Sequence, residues 1–194
     1  GVDVMRWMYC GAIITQDFRF GYGIGDETRR RFLLPLWNVY SFFVTYANLD
    51  RWSPGPDPLA GVALTALDRW ILSETQALVS TVTDRLEDLD PAAAVRACEA
   101  YLDDLSNWYV RRSRRRFWKS ESDADKQAAY ATLYTCLVTF TKVLAPFIPF
   151  ITETMYQNLV RSVDPAAPES VHHCDWPTPD PRLLDERLMT ETRL

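Results

Sequence analysis

Apolar residues recur every three or four positions through most of this 194-residue chain, a spacing typical of amphipathic helices. The pattern is interrupted by a loop rich in proline and glycine from Trp52 to Gly61, and Pro35 predicts a kink or break inside the first stripe. Five such stretches joined by short loops predict an all-α fold, an antiparallel bundle of about five helices. The helices are expected at about residues 26–51, 65–89, 91–119, 126–144 and 149–163.

The two ends of the chain lack this helical period. Asp17 to Phe20 alternates like a short strand, and the glycines that follow it predict a turn. Beyond the bundle the chain is rich in proline, with an extended piece at 170–176, and Asp180-Pro181 predicts the start of a last helix. We therefore expect three parts: a short α+β segment at residues 1–25, the bundle at 26–163 and a C-terminal extension at 164–194.

Composition narrows the class of protein. The four cysteines are scattered without a CxxC pair, which argues against a disulfide framework or a zinc knuckle and favours a reducing, cytoplasmic setting. Lysine and prolines interrupt the longest apolar run, near residues 137–151, so no membrane span is expected. The opening at Gly1, directly in an apolar segment, suggests a piece of a longer chain.

No active site is visible in the sequence. His172, His173 and Cys174 are consecutive, and neighbouring side chains on an extended segment diverge too far to share one metal ion. No glycine-rich phosphate loop, HExxH or Ser-His-Asp pattern is present. We expect no catalytic residue, no metal and no cofactor in this chain.

The basic segment, residues 106–119, is the most unusual stretch. It contains six cations and four aromatic residues with no acid. Because the whole chain carries a net charge of −5 and this segment carries +6, the remainder carries −11. Interleaved cations and rings suit a partner with phosphates and exposed bases. The candidate RNA contacts are Asn107, Trp108, Arg111, Arg112, Arg114, Arg115, Arg116, Trp118 and Lys119.

A helical wheel places five of the six cations on one broad face and leaves Arg114 apart. On this wheel Arg112 and Arg116 point towards the core stripe. Two explanations remain open: the helix projects beyond the bundle, so that this face meets a ligand, or these arginines fold back to pair with the acids Glu99, Asp103 and Asp104.

Several blocks of the sequence resemble isoleucyl-tRNA synthetases, which are class I aminoacyl-tRNA synthetases. The most specific block runs from Asp103 to Trp118 and is similar to the eukaryote-type branch, which some bacteria also carry. The block from Leu144 to Phe150 is shared with valyl and leucyl relatives. The remaining matching blocks are residues 1–7, 32–48, 67–73, 170–172 and 175–177.

The resemblance implies an anticodon-binding helical bundle that holds the anticodon arm of an isoleucine tRNA. It also implies a monomeric parent enzyme that uses ATP and Mg, with its catalytic and editing domains upstream and a further domain downstream. The signature motifs HIGH and KMSKS do not occur in this chain, so we expect it to be inactive alone. The alternatives are the equivalent domain of valyl- or leucyl-tRNA synthetase and a protein-interaction module whose basic face meets an acidic partner.

Overall fold

The computed structural model describes residues 1–13, 15–18, 20–118 and 123–192, and these residues contain helices but no strand. The α-helices are α1 (Val2–Cys10), α2 (Tyr22–Thr28), α3 (Leu34–Asp50), α4 (Ala66–Glu87), α5 (Pro91–Asp103), α6 (Arg111–Trp118), α7 (Ala124–Leu144), α8 (Pro149–Tyr156) and α9 (Glu186–Thr192). Three π-helical segments (Arg29–Leu33, Asp104–Val110 and Gln157–Arg161) and one 3-10 helix (Val171–His173) complete the set.

The predicted five-helix bundle is confirmed. Each of the five long helices of the bundle is called a rod here. In two rods a π-helical segment joins two α-helices, α2 to α3 and α5 to α6. In a third rod α8 continues into a π-helical segment, and α4 and α7 are the remaining two rods. The central helix α4 packs on both α5 and α7 and is buried over most of its circumference. Pro35 does not break its helix: it lies at the start of α3, directly after the π-helical segment Arg29–Leu33, and the backbone stays helical on both sides of it.

The N-terminal helix α1 packs onto the bundle. The indole of Trp7 is buried and stacks on the ring of Phe32, with centroids 3.8 Å apart. The Asp3 carboxylate accepts hydrogen bonds from the first amides of α8, including Ile151 N at 2.7 Å, and so satisfies donors that a helix N-terminus leaves open. Arg6 donates to the carbonyl oxygens of Pro146 and Phe147.

The expected strand at Asp17 to Phe20 is wrong, because the described residues of that stretch are irregular. Phe18 packs its ring 5.0 Å from that of Tyr9 on α1, and the part of the chain that the structure describes offers no strand to pair with its backbone. The expected glycine turn is also wrong: Gly21 precedes α2, and the two later glycines lie inside that helix.

The C-terminal segment, residues 176–185, lies along α4, where polar side chains of the helix hold it. Ser73 accepts a hydrogen bond from Asp185 N at 2.7 Å, and Gln76 accepts one from Asp180 N at 2.8 Å. Thr83 accepts from the indole of Trp176 at 2.8 Å. These contacts explain why a central helix carries buried polar residues.

Two expectations for this segment need correction. The extended piece at 170–176 contains the 3-10 turn Val171–His173, because the Ser170 side chain accepts from the backbone of His172 and starts the turn. The last helix begins at Glu186 and not at Asp180-Pro181, because the Asp180 carboxylate is engaged by Arg182 in a local turn. Among the described residues, no helix has the length and apolar character needed to span a membrane.

Candidate nucleic-acid interface

A π-helical segment sets the orientation of the basic segment. Residues 104–110 wind with more than four residues per turn, so the helix gains about one residue relative to a straight α-helix. The core stripe that includes Leu105 and Tyr109 therefore continues through Ser113 and Phe117, both of which are buried. A straight α-helix would have buried residues 112 and 116 instead, as the wheel predicted.

Arg116 points inwards and is bound by acids. Its two terminal nitrogens donate to the two oxygens of Asp68 at 2.7 and 2.8 Å, and only 12% of its side chain is exposed. Its Nε lies 2.8 Å from Asp125 Oδ1 as an ion pair without hydrogen-bond alignment. The brace explanation is therefore correct for Arg116, but the partners are Asp68 and Asp125 and not the three acids expected from the sequence.

Asp68 is the centre of this buried network. Its carboxylate also accepts from the hydroxyl of Tyr109 at 2.7 Å and from the backbone amide and hydroxyl of Thr65, in a capping box at the start of α4. Burial alone would raise the pKa of Asp68, but the hydrogen bonds from Arg116, Thr65 and Tyr109 outweigh it and lower the pKa. Burial, reinforced by the charge of Asp68, raises the pKa of Tyr109. The network thus joins an ionised aspartate to a charged arginine and a neutral tyrosine.

The outward face of α6 consists of Arg111, Arg114, Arg115 and Trp118, all exposed. Their spacing of i, i+3, i+4 and i+7 places them within about 100° of one another. Arg114 therefore belongs to the exposed cationic face, contrary to the wheel, because the π-helical segment turned the core side towards Ser113 and Phe117. Trp118 is 57% exposed. Among the described residues, no acid pairs with any of these three arginines.

The other candidates lie beside this face. Arg112 is exposed and holds its guanidinium 4.1 Å from the ring centre of Trp108, which corrects the expectation that it points into the bundle. Trp108 is 37% exposed. Asn107 donates to Asp103 Oδ1 at 2.5 Å. Lys119 lies outside the described residues.

The structure adds residues that sequence reasoning missed. Asp68 and Asp125 hold Arg116. The sequence contained a signal for Asp68 alone, because its spacing from Thr65 is typical of a capping box. Phe42 lies under Arg114, with 6.0 Å between guanidinium carbon and ring centre. An arrangement of exposed guanidinium groups next to an exposed indole can bind phosphates and stack on unpaired bases.

The chain is similar to known proteins along its whole length. Residues 68–193 match the family described as "Anticodon-binding domain of tRNA ligase". Over its full length the chain is 55% identical to an isoleucine–tRNA ligase of Dehalococcoides mccartyi and 51% identical to that of Thermus thermophilus. A Clostridium acetobutylicum isoleucine–tRNA ligase is 45% identical, again over the full chain. The chain spans about 19% of the length of each of these relatives.

A solved structure shares the fold. It is the LeuRS of Agrobacterium radiobacter K84, in a ternary complex with tRNA and LeuAMS, and it superposes with a TM-score of 0.68 at 18% identity. The match covers 95% of this chain and 20% of that one. Together with the family match over residues 68–193, this similarity leads to one conclusion: the chain belongs to the family of anticodon-binding domains of tRNA ligases.

Proposed function

We propose that this chain binds the anticodon arm of an isoleucine tRNA, as the RNA-recognition part of an isoleucine–tRNA ligase. The observation that carries the proposal is the outward face of α6, three exposed arginines and a tryptophan on an otherwise acidic chain. The names of the relatives support the choice of isoleucine. The arginines contact phosphates, and Trp118 stacks on an unpaired base.

Arg116 has a different role in this proposal. Its guanidinium is already bound by Asp68 and Asp125, so it orients α6 and does not contact RNA. Arg112 and Trp108 form a second exposed platform whose stacked cation and ring suit a base or a phosphate at the edge of the interface. Lys119 and Asn107 remain candidates next to these residues.

The rest of the ligase supplies the chemistry. The chain spans about 19% of its relatives, and we place the catalytic and editing domains, with ATP and Mg, in the part that precedes it and a further domain in the part that follows it. The proposal also divides the chain into an N-terminal segment (residues 1–25), the bundle (26–163) and a C-terminal extension (164–194). It further includes a monomeric parent enzyme and a cytoplasmic location. Alone, the chain binds tRNA without charging it.

Exposed apolar side chains at the N-terminus fit a contact with the preceding domain. Val2, Met5, Phe20 and Tyr22 are exposed, and they line an apolar cleft of about 580 Å³ between α1 and α2. Exposed apolar groups gathered in one place typically mark a contact with another protein surface.

Titration of the chain with an isoleucine anticodon stem-loop tests the RNA-binding function. We expect binding that weakens as salt rises, because the RNA releases counterions when arginines replace them. Arg115→Glu should weaken binding at least about tenfold and lower the slope of log K against log salt by about 1. The matched control is Arg85→Glu, the same charge change on an exposed arginine about 25 Å further along α4 from Asp68.

The outcomes separate the candidate functions. Absence of binding at low salt overturns the RNA-binding function. Equal affinity for a hairpin with an unrelated loop overturns anticodon recognition, and tighter binding of a valine or leucine stem-loop moves the chain to one of those ligases. An equal loss in the Arg85→Glu and Arg115→Glu variants would show that net charge, and not the outward face of α6, sets the affinity.

A further inference from the structure

A polar cleft of about 670 Å³ lies beside the outward face of α6. It runs between the rod of α2 and α3 on one side and the rod of α5 and α6 on the other. Its volume falls within the range of about 300–1,000 Å³ that is typical of small-molecule sites. Arg114 lines the cleft and also belongs to the outward face, so the two surfaces are continuous.

The charges in the cleft favour an anion. Both of its carboxylates have partners: Glu99 is paired with Arg31 and accepts from the indole of Trp7, and Asp103 accepts from Asn107. Arg96 and Arg114 also line the cleft, are exposed, and have no ion pair with a described residue. The lining thus has three guanidinium groups against two carboxylates, a net charge of +1, and the two guanidinium groups without an ion pair are able to bind phosphate in a bidentate way.

The same cleft offers groups that suit a nucleobase. Asn38 on α3 is exposed in the cleft wall, and its amide has no hydrogen-bond partner among the described residues. An amide both donates and accepts, which matches the polar edge of a base. The planar guanidinium of Arg114, which lies over the ring of Phe42, provides a flat surface on which a base can stack.

We infer that this cleft holds one unpaired nucleotide of the bound RNA, with Arg96 and Arg114 at its phosphate and Asn38 at the edge of its base. The inference rests on the proposed function and adds a base-recognition site to it. An RNA that lies along the outward face of α6 can pass a single unstacked nucleotide over Arg114 into the cleft.

The test combines removal of one base from the RNA with removal of the Asn38 amide from the protein. A series of anticodon stem-loops, each abasic at one unpaired position, is titrated against the wild-type chain and against Asn38→Leu. With the wild type, we expect one abasic position to weaken binding about tenfold, the usual loss for one stacked base. With Asn38→Leu, the same abasic change should cost clearly less than in the wild type, about threefold, because the hydrogen bonds between Asn38 and the base are already lost and only the stacking remains.

Control variants separate this site from general effects. Asn48→Leu, an exposed asparagine further along α3, should keep the tenfold abasic loss. Arg96→Gln should weaken binding to every stem-loop and lower the salt slope by about 1, whereas Arg85→Gln should not. Asn38→Asp, which keeps the size of the side chain, should change which base is preferred at that position. Circular dichroism and urea midpoints equal to the wild type confirm that the variants are folded.

The possible failures are distinguishable. If the wild type binds stem-loops but the abasic loss is unchanged in Asn38→Leu, or if no abasic position matters, the cleft does not hold a base and the proposed function stands. If the wild type binds no stem-loop at low salt, the proposed function fails and this inference fails with it.

Discussion

Replacement of Asp68 by alanine should destabilise the fold strongly. The change removes both carboxylate oxygens that accept from Arg116, the acceptor of the buried Tyr109 hydroxyl and the capping box with Thr65. Loss of one partner of a buried ion pair costs about 3–5 kcal/mol. Because Asp125 remains next to Arg116, we expect the lower end of this range, about 3 kcal/mol. The Tyr109 hydroxyl, left buried without an acceptor, adds about 1 kcal/mol. We expect a total loss of about 4 kcal/mol, a large part of the about 5–15 kcal/mol that holds most domains together.

Urea unfolding followed by tryptophan fluorescence measures this loss. At an m-value of about 2 kcal/mol/M, the unfolding midpoint should fall by about 2 M. Asp26→Asn is the matched control, because Asp26 also pairs with two arginines but on the exposed surface, and its midpoint should not move measurably. The double variant Asp68→Ala, Arg116→Met should recover part of the loss, since it removes the stranded charge. A loss below about 1 kcal/mol in Asp68→Ala would refute the role assigned to this network.

The same variant has an expected pH dependence. The folded state lowers the pKa of Asp68, so this group stabilises the fold above its unfolded pKa, and the stabilisation is lost as pH falls through the folded pKa. The difference between the wild type and Asp68→Ala should therefore be complete at pH 7 and shrink progressively below about pH 4. A difference that grows on acidification would contradict the ionised state of Asp68.

Three further predictions concern other parts of the chain. Trp7→Ala should lower the free energy of unfolding by about 3–5 kcal/mol in the same urea assay, because the buried indole joins α1 to the bundle; a loss under 1 kcal/mol would mean that α1 is only loosely attached. Burial raises the pKa of Cys98, and it raises that of Cys136 to about 11. At pH 8 both thiols of the native protein should therefore resist alkylation, whereas those of the urea-unfolded protein should react, and peptide mass spectrometry measures both. Arg112→Ala should lower the free energy of unfolding by no more than about 1 kcal/mol, because the cation that it removes is exposed. It should also change the fluorescence emission of Trp108, and an unchanged spectrum would argue against that contact in solution.

The sequence predicted the bundle because each rod keeps a regular apolar stripe. Leu36, Val39 and Phe43 are buried on α3 as their spacing requires. The order and number of the rods followed from these stripes and from the loops between them. The family resemblance was likewise contained in the sequence itself.

The orientation of the site did not follow from the stripe, for a physical reason. A π-helical segment changes the phase of every later residue, and the 3.6-residue period used in a wheel contains no sign of it. Arg112, expected to point towards the core, is therefore exposed, and Arg114, expected apart, joins the exposed cationic face, whereas Arg116 is bound inside as expected. The partners of Arg116 lie 48 and 9 residues away in the chain, and only tertiary packing brings Asp68 to it.

The contact between Asp3 and the start of α8 has a consequence for synthesis on the ribosome. The carboxylate of Asp3 and the amide of Ile151 are 148 residues apart in sequence. At about 5–20 residues per second, the ribosome needs about 7–30 s to make the intervening chain. During that time the apolar side of α1, including Trp7, has neither its helix-capping partner nor the corner between α7 and α8 to cover it. Of the helices described here, α1 is thus synthesised first but gains its last contacts only after α8 has been made, and chaperones can bind its apolar side in the interval.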